Sequence, residues 1–137
     1  MTITRRGTIA LLAATLIACS SDVPSQVRSD LPVTLVLEPG VAKSVAGTDL
    51  ELRVIEILSD SRCPRDVTCV WAGEVRLRLS VRSGNTPAQE HEVIAGNSVT
   101  VGTYLITIEK IEPEAVENQK IAPRDYRVTV RVETVSA

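Results

Sequence analysis

One segment, Asp60-Ser61-Arg62-Cys63-Pro64-Arg65-Asp66-Val67-Thr68-Cys69-Val70-Trp71-Ala72-Gly73-Glu74, gathers most of the side chains able to do chemistry or recognition. Its two cysteines can pair, ligate a metal or cycle between thiol and disulfide. The third cysteine, Cys19, stands apart at the end of an N-terminal apolar run that begins after Arg5-Arg6 and reads as an export signal, which leaves Cys63 and Cys69 as the two thiols of the exported part. They are expected to form a disulfide, and closing so short a ring stabilises by roughly 2.4 kcal/mol on the chain-entropy estimate. Redox cycling is the weaker reading, because Cys-x-x-Cys spacing is missing and no neighbour evidently lowers either thiol's pKa. A stapled ring would hold Arg62, Arg65 and Asp66 outward and reduce the entropy lost on binding a partner. Trp71 is expected to lie over the disulfide or to cap one end of the core, with its indole N–H needing an acceptor. A special case offers Arg65 to a trypsin-like pocket, as a protease-inhibitor loop does.

Catalytic alternatives are thin. His91, in Gln89-Glu90-His91-Glu92, is the sole histidine, and no serine sits in a Gly-x-Ser-x-Gly elbow. Three- or four-ligand zinc sites need more imidazoles or thiols than remain, and no Asp/Asn/Gly loop of the EF-hand kind is present. Glu112 and Glu114 form a carboxylate pair with no aromatic platform for a sugar. Neither a catalytic residue, a metal nor a cofactor is expected. Arg76, Arg78 and Arg82 fall on the outer face of one strand and Arg127 and Arg131 on that of another. Unneutralised, such a stripe would suit an acidic envelope polymer or protein, although Glu51, Glu109 and Glu133 are placed to neutralise it.

Composition limits what these residues can serve. The chain has 137 residues, is 44% hydrophobic and 23% charged, and carries a formal charge of −2. Such a chain fits one small folded domain rather than a disordered or multi-span protein, and it lacks the concentrated basic face that nucleic acid requires. Residues 1–18 read as a secretory signal, with Arg5-Arg6 followed by an apolar run too short to span a bilayer. Leu16-Ile17-Ala18-Cys19 resembles the bacterial lipobox, so Cys19 is the expected site of lipidation and membrane anchoring. Ser20 after it resembles lipoproteins sorted to the outer membrane, here facing the periplasm. Arg5-Arg6 leaves twin-arginine export open, but general secretion fits better because Thr8-Ile9 replaces the expected hydrophobic pair. After cleavage 13 basic residues stand against 17 acidic ones. Residues 19–32, rich in Ser, Asp and Pro beyond Cys19, read as a flexible tether spanning about 20 Å as a random coil.

Alternation dominates from residue 33 to 137, the expected folded domain. Val75, Leu77, Leu79 and Val81 alternate with Arg76, Arg78, Ser80 and Arg82, and Tyr126, Val128, Val130 and Val132 alternate with Arg127, Thr129, Arg131 and Glu133. Further strands are expected at 33–38, 41–45, 49–58, 89–94 and 103–112, separated by turns at Pro39-Gly40, Gly47-Thr48-Asp49, Ser83-Gly84-Asn85 and Gly96-Asn97. The apolar phase switches between Val54 and Ile55, which implies a β-bulge or a strand covered on both faces. About seven strands with no amphipathic helix predict an all-β fold, a single antiparallel sandwich of immunoglobulin-like kind or a small barrel. Its core is aliphatic, since the chain has 19 Val and 10 Ile but no Phe. One helical turn is expected at 114–119.

The Asp-Ser-Arg-Cys-Pro…Cys-x-Trp-Ala-Gly pattern of residues 60–73 resembles an uncharacterised family of small bacterial secreted proteins and lipoproteins. Similarity continues at Tyr104-Leu-Ile-Thr-Ile-Glu-Lys-Ile-Glu-Pro113 and Ile121-Ala-Pro-Arg-Asp-Tyr126. The resemblance implies a secreted β-domain and the disulfide, and no reaction. The functional expectation is a lipid-anchored envelope protein that binds rather than catalyses. A hydrolase or protease inhibitor acting around Arg65 is the alternative.

Overall fold

The computed structural model describes residues 31–135, so the signal segment, Cys19, the tether up to residue 30, and Ser136 and Ala137 lie outside it. Eight strands form: β1 (Val33–Leu37), β2 (Ala42–Ser44), β3 (Leu50–Asp60), β4 (Val75–Ser83), β5 (Gln89–Ile94), β6 (Ser98–Val101), β7 (Tyr104–Glu112) and β8 (Arg127–Thr134). Antiparallel pairing arranges them as two four-stranded sheets, β1-β8-β7-β6 and β2-β3-β4-β5. The sheets stack as a sandwich and do not close into the small barrel that the sequence left open.

Alternation dictates which face is buried. Leu50, Leu52 and Val54 on β3 and Leu77, Leu79 and Val81 on β4 point inward against Ile106, Ile108, Val128, Val130 and Val132 of the facing sheet. Each is sealed from water, and Tyr126 is the one aromatic ring in this aliphatic core. The seam between edge strands β1 and β2 is bridged by Lys43, whose Nζ donates to the Val36 carbonyl at 2.7 Å.

Two bulges in β3 set up the site. Register shifts fall between Val54 and Glu56 and between Ile57 and Ser59. The first is the phase switch visible in the sequence. The second restores the original parity, so that Ser59 pairs with Arg76 on the outer face and Asp60 pairs with the buried Val75. Each extra residue turns the strand over once. A carboxylate is thereby delivered to the inner side at the strand's end.

Two sequence expectations are corrected. Strand β6, only four residues long, was missed because two apolar positions do not establish a period; backbone bonds from Gly96 to Ile108 and from Ile108 to Asn97 fasten its turn to β7. Residues 114–119 make no helical turn. The Pro123–Asp125 segment forms a 3-10 turn instead, where Pro pre-sets the first φ.

Register also defines two poles. The end of β3, the start of β4, the end of β7 and the start of β8 share one, here the disulfide pole. Val33 pairs with Val132 near the end of β8, so the chain enters the domain at the other. Nine-residue β4 separates the poles by roughly 27 Å.

Candidate functional site

Asp60, Arg62 and Tyr126 build the floor of the disulfide pole. Arg62 donates from Nε to Asp60 Oδ1 at 2.9 Å and from a terminal nitrogen to Oδ2 at 2.6 Å, while its other terminal nitrogen donates to the Ile111 carbonyl at 2.9 Å. The Tyr126 hydroxyl donates to Asp60 Oδ2 at 2.9 Å. Only 18% of the Arg62 side chain and 14% of the Asp60 side chain reach solvent. Burial pushes the Asp60 carboxyl up, but hydrogen bonds from Arg62 and Tyr126 and the Arg62 charge together hold it below its ordinary value. Tyr126 is pushed up to about 12 by burial, reinforced by the Asp60 carboxylate that its hydroxyl serves.

The loop above this floor is fixed at several positions. Cys63 and Cys69 are disulfide-bonded with Cα atoms 5.8 Å apart. Ser61 N donates to the Glu74 carbonyl and Cys63 N to that of Ala72, both at 2.9 Å, so the two arms of the loop continue the β3–β4 pairing. Gly73 permits this closeness: a Cβ there would lie 1.8 Å from the Ser61 carbonyl oxygen, and its φ of +69° favours glycine in any case. The loop is docked sideways on the 113–126 connection. Arg65 N donates to the Ala115 carbonyl, and Asp66 Oδ1 accepts from Glu117 N, each at 2.9 Å.

This geometry corrects the sequence reading at several positions. Arg62 does not project outward; the second bulge of β3 places Asp60 beneath it, and pairing there turns the guanidinium inward. Asp66 faces the connection rather than presenting a bare carboxylate. Arg65 does point out, with 66% of its side chain exposed and Glu114 Oε2 3.9 Å away. Trp71 neither covers the disulfide nor caps the core: it is 82% exposed, and its neighbour Val70 is 90% exposed. Tyr126, 6% exposed, is the aromatic ring that closes this end of the core instead.

Between loop and connection runs a cleft of about 640 Å³. Apolar lining comes from Ile57, Pro64, Val116, Ile121 and Pro123, and the Asp60, Arg62 and Tyr126 network and the exposed Asn118, Gln119 and Lys120 also line it. Neither Asp60 nor Tyr126 stood out in the sequence as a site residue. The available signal was Tyr126 itself, a hydroxyl in an otherwise aliphatic strand pattern that had to find a partner.

The arginines that the sequence sets in a stripe are ion-paired. Arg76 meets Glu92 at 2.8 Å and Glu74 at 3.0 Å, Arg78 meets Glu56 at 2.6 Å, and Arg82 meets Glu51 at 2.8 Å. Arg127 and Arg131 lie on β8 in the other sheet, so the two sets do not merge into one stripe. Arg131 stands 3.5 Å from Glu133 and 4.0 Å from Glu109. His91 is half-buried, pairs with Leu79 and has its Nε2 buried without a hydrogen-bond partner. Ser98, across the β5–β6 seam, bonds instead to Thr107 at 2.7 Å. Among the described residues no group of three or more His, Cys, Asp or Glu is placed to hold a metal ion.

No family model, curated protein or solved structure matches the chain.

Proposed function

We propose that this protein is a non-catalytic binding module of the bacterial envelope, anchored by a lipid on Cys19, placed at the outer membrane facing the periplasm, and contacting its partner through Val70 and Trp71. The observation that carries this reading is the 82% exposure of Trp71 on a loop whose surrounding residues are fixed by a disulfide, paired backbone and a docked flank. Trp is among the side chains that concentrate binding energy, and a rigid loop loses little entropy when its tip is covered. A solvated indole stabilises nothing in the isolated domain, so a contact outside the fold accounts for it best. Working without catalysis is supported by His91, which bonds to neither a serine nor a carboxylate. The ion-paired arginines favour this apolar tip over the sheet faces as the contact for a partner.

The test is photo-crosslinking in intact bacterial cells from a reactive residue at Val70, with the full chain and its signal retained and crosslinked bands identified by mass spectrometry. A discrete protein adduct that disappears with Trp71→Ala is expected. Absence of any adduct from a folded, anchored chain overturns the reading.

A further inference from the structure

Resting on that reading, we infer that the occupant of the Trp71 tip is a second copy of this chain, with each Trp71 seated in the other copy's cleft between the disulfide loop and the 113–126 connection. Knob and socket occur side by side at one pole of the same molecule. A two-fold pair requires this arrangement, because each contact made by one copy is returned by the other. The tip offers an exposed indole and the Val70 side chain. The cleft, about 640 Å³, lies within the range that holds a group of this size and has apolar walls from Ile57, Pro64, Val116, Ile121 and Pro123. An indole N–H entering it has acceptors to find, since Asn118, Gln119 and Tyr126 are among the residues that line it.

Charge and position favour this occupant over the anchoring bilayer. Arg62 is taken up by Asp60; of the remaining charges at this pole, Arg65, Lys120 and Arg124 stand against Asp66, Glu74, Glu114, Glu117 and Asp125. A pole with this slight acidic excess does not draw anionic lipid headgroups, whereas the apolar tip and the apolar cleft lining suit each other. The chain enters the domain at the opposite pole, roughly 27 Å away, so an anchor on Cys19 holds the membrane at the far end from the tip.

The test uses two full-length copies with different affinity tags, coexpressed in cells and purified together. Wild-type copies should co-purify. Trp71→Ala, which removes the knob, and Val116→Arg, which fills the socket, should each reduce co-purification roughly thirtyfold when present in both copies, the loss that removing a central hot-spot contact brings. A Trp71→Ala copy paired with a Val116→Arg copy should regain association, because one knob and one socket remain and fit each other. Mere loss of folding does not produce that rescue. Wild-type copies that fail to co-purify, or single variants that leave association intact, overturn the proposal. If the Val70 crosslink then identifies a different protein, binding through the tip stands and only the second copy falls. A crosslink to lipid alone assigns the tip to the bilayer and removes both.

Discussion

Tyr126 and Asp60 lie 66 positions apart in the chain and join the two sheets through a hydrogen bond of 2.9 Å. The other tyrosine does the same at the opposite pole, where the Tyr104 hydroxyl donates to Asp49 Oδ1 at 3.2 Å. β3 is therefore flanked by two aspartates, each held by a phenol that the facing sheet supplies. Around an aliphatic, non-directional core, these two bonds, together with those from Arg62 to Ile111 and from Lys43 to Val36, tie one sheet to the other at defined points.

Removing the Asp60 charge tests the inner bond. Asp60→Asn leaves the mostly buried Arg62 guanidinium without its counter-charge, and a loss of about 2 kcal/mol is expected from chemical denaturation. Tyr126→Phe removes one hydrogen bond and keeps the ring, so about 1 kcal/mol is expected. Equal, negligible effects would show that the network contributes nothing to stability.

Alkaline titration reads the same pair. Tyr126 is pushed up to about 12 in the folded protein by burial and by Asp60, whereas an unfolded tyrosine ionises near about 10. The raised value means that its contribution is complete below about pH 10 and is lost as pH rises towards about 12, where the unfolded chain releases the proton first. Melting temperature should fall more steeply across that window in the wild type than in Tyr126→Phe. Tyrosinate absorbance in a Tyr104→Phe background should appear only towards the upper end.

Replacing Cys63 and Cys69 together by Ala should lower the melting temperature, corresponding to about 2 kcal/mol from the ring closed in the unfolded chain. Reduction of the wild type should produce a similar loss. An unchanged melting curve under reducing conditions would remove the staple from the account of stability.

Gly73→Ala should be more harmful than a surface loop substitution normally is. Its Cβ would meet the Ser61 backbone oxygen at 1.8 Å, and backbone cannot move aside as a flexible side chain can. A loss of about 2 kcal/mol or more is expected, together with faster exchange of the Ser61 amide that bonds Glu74.

Trp71 is the only tryptophan and reports on itself. At low concentration its emission should be red-shifted and readily quenched by acrylamide. Trp71→Ala should leave stability within about 0.5 kcal/mol, as for an exposed side chain that packs on nothing. A blue, protected emission at high dilution would mean that the indole is buried within its own domain.

Fold class was legible because alternation is a backbone property: β4 and β8 announce their buried faces residue by residue, and the Val54–Ile55 phase switch marked the first bulge of β3. The second bulge was not legible. It falls where Ile57, Leu58 and Ser59 carry no clear period, yet it decides that Asp60 faces inward and so that Arg62 follows it. The loop's composition identified a staple and its members. Asp66 turns inward because of the connection at 113–126, remote in sequence, whose Glu117 amide claims its carboxylate; the same connection takes only the backbone amide of Arg65 and leaves its side chain out. Trp71 departs from the expectation because aromatic character argues for burial on average, whereas Tyr126 is the ring that closes this end of the core.

The Lys43 ammonium on the Val36 carbonyl bears on a hazard separate from folding. β1 reads Val-Thr-Leu-Val-Leu, an uncharged segment on the margin of its sheet, and a margin with bare backbone groups is a template on which another chain can add a strand. With a cation seated on one of those carbonyls, an incoming strand must displace it and bury its charge. A single lysine thus acts as a guard against fibrillar growth along this margin.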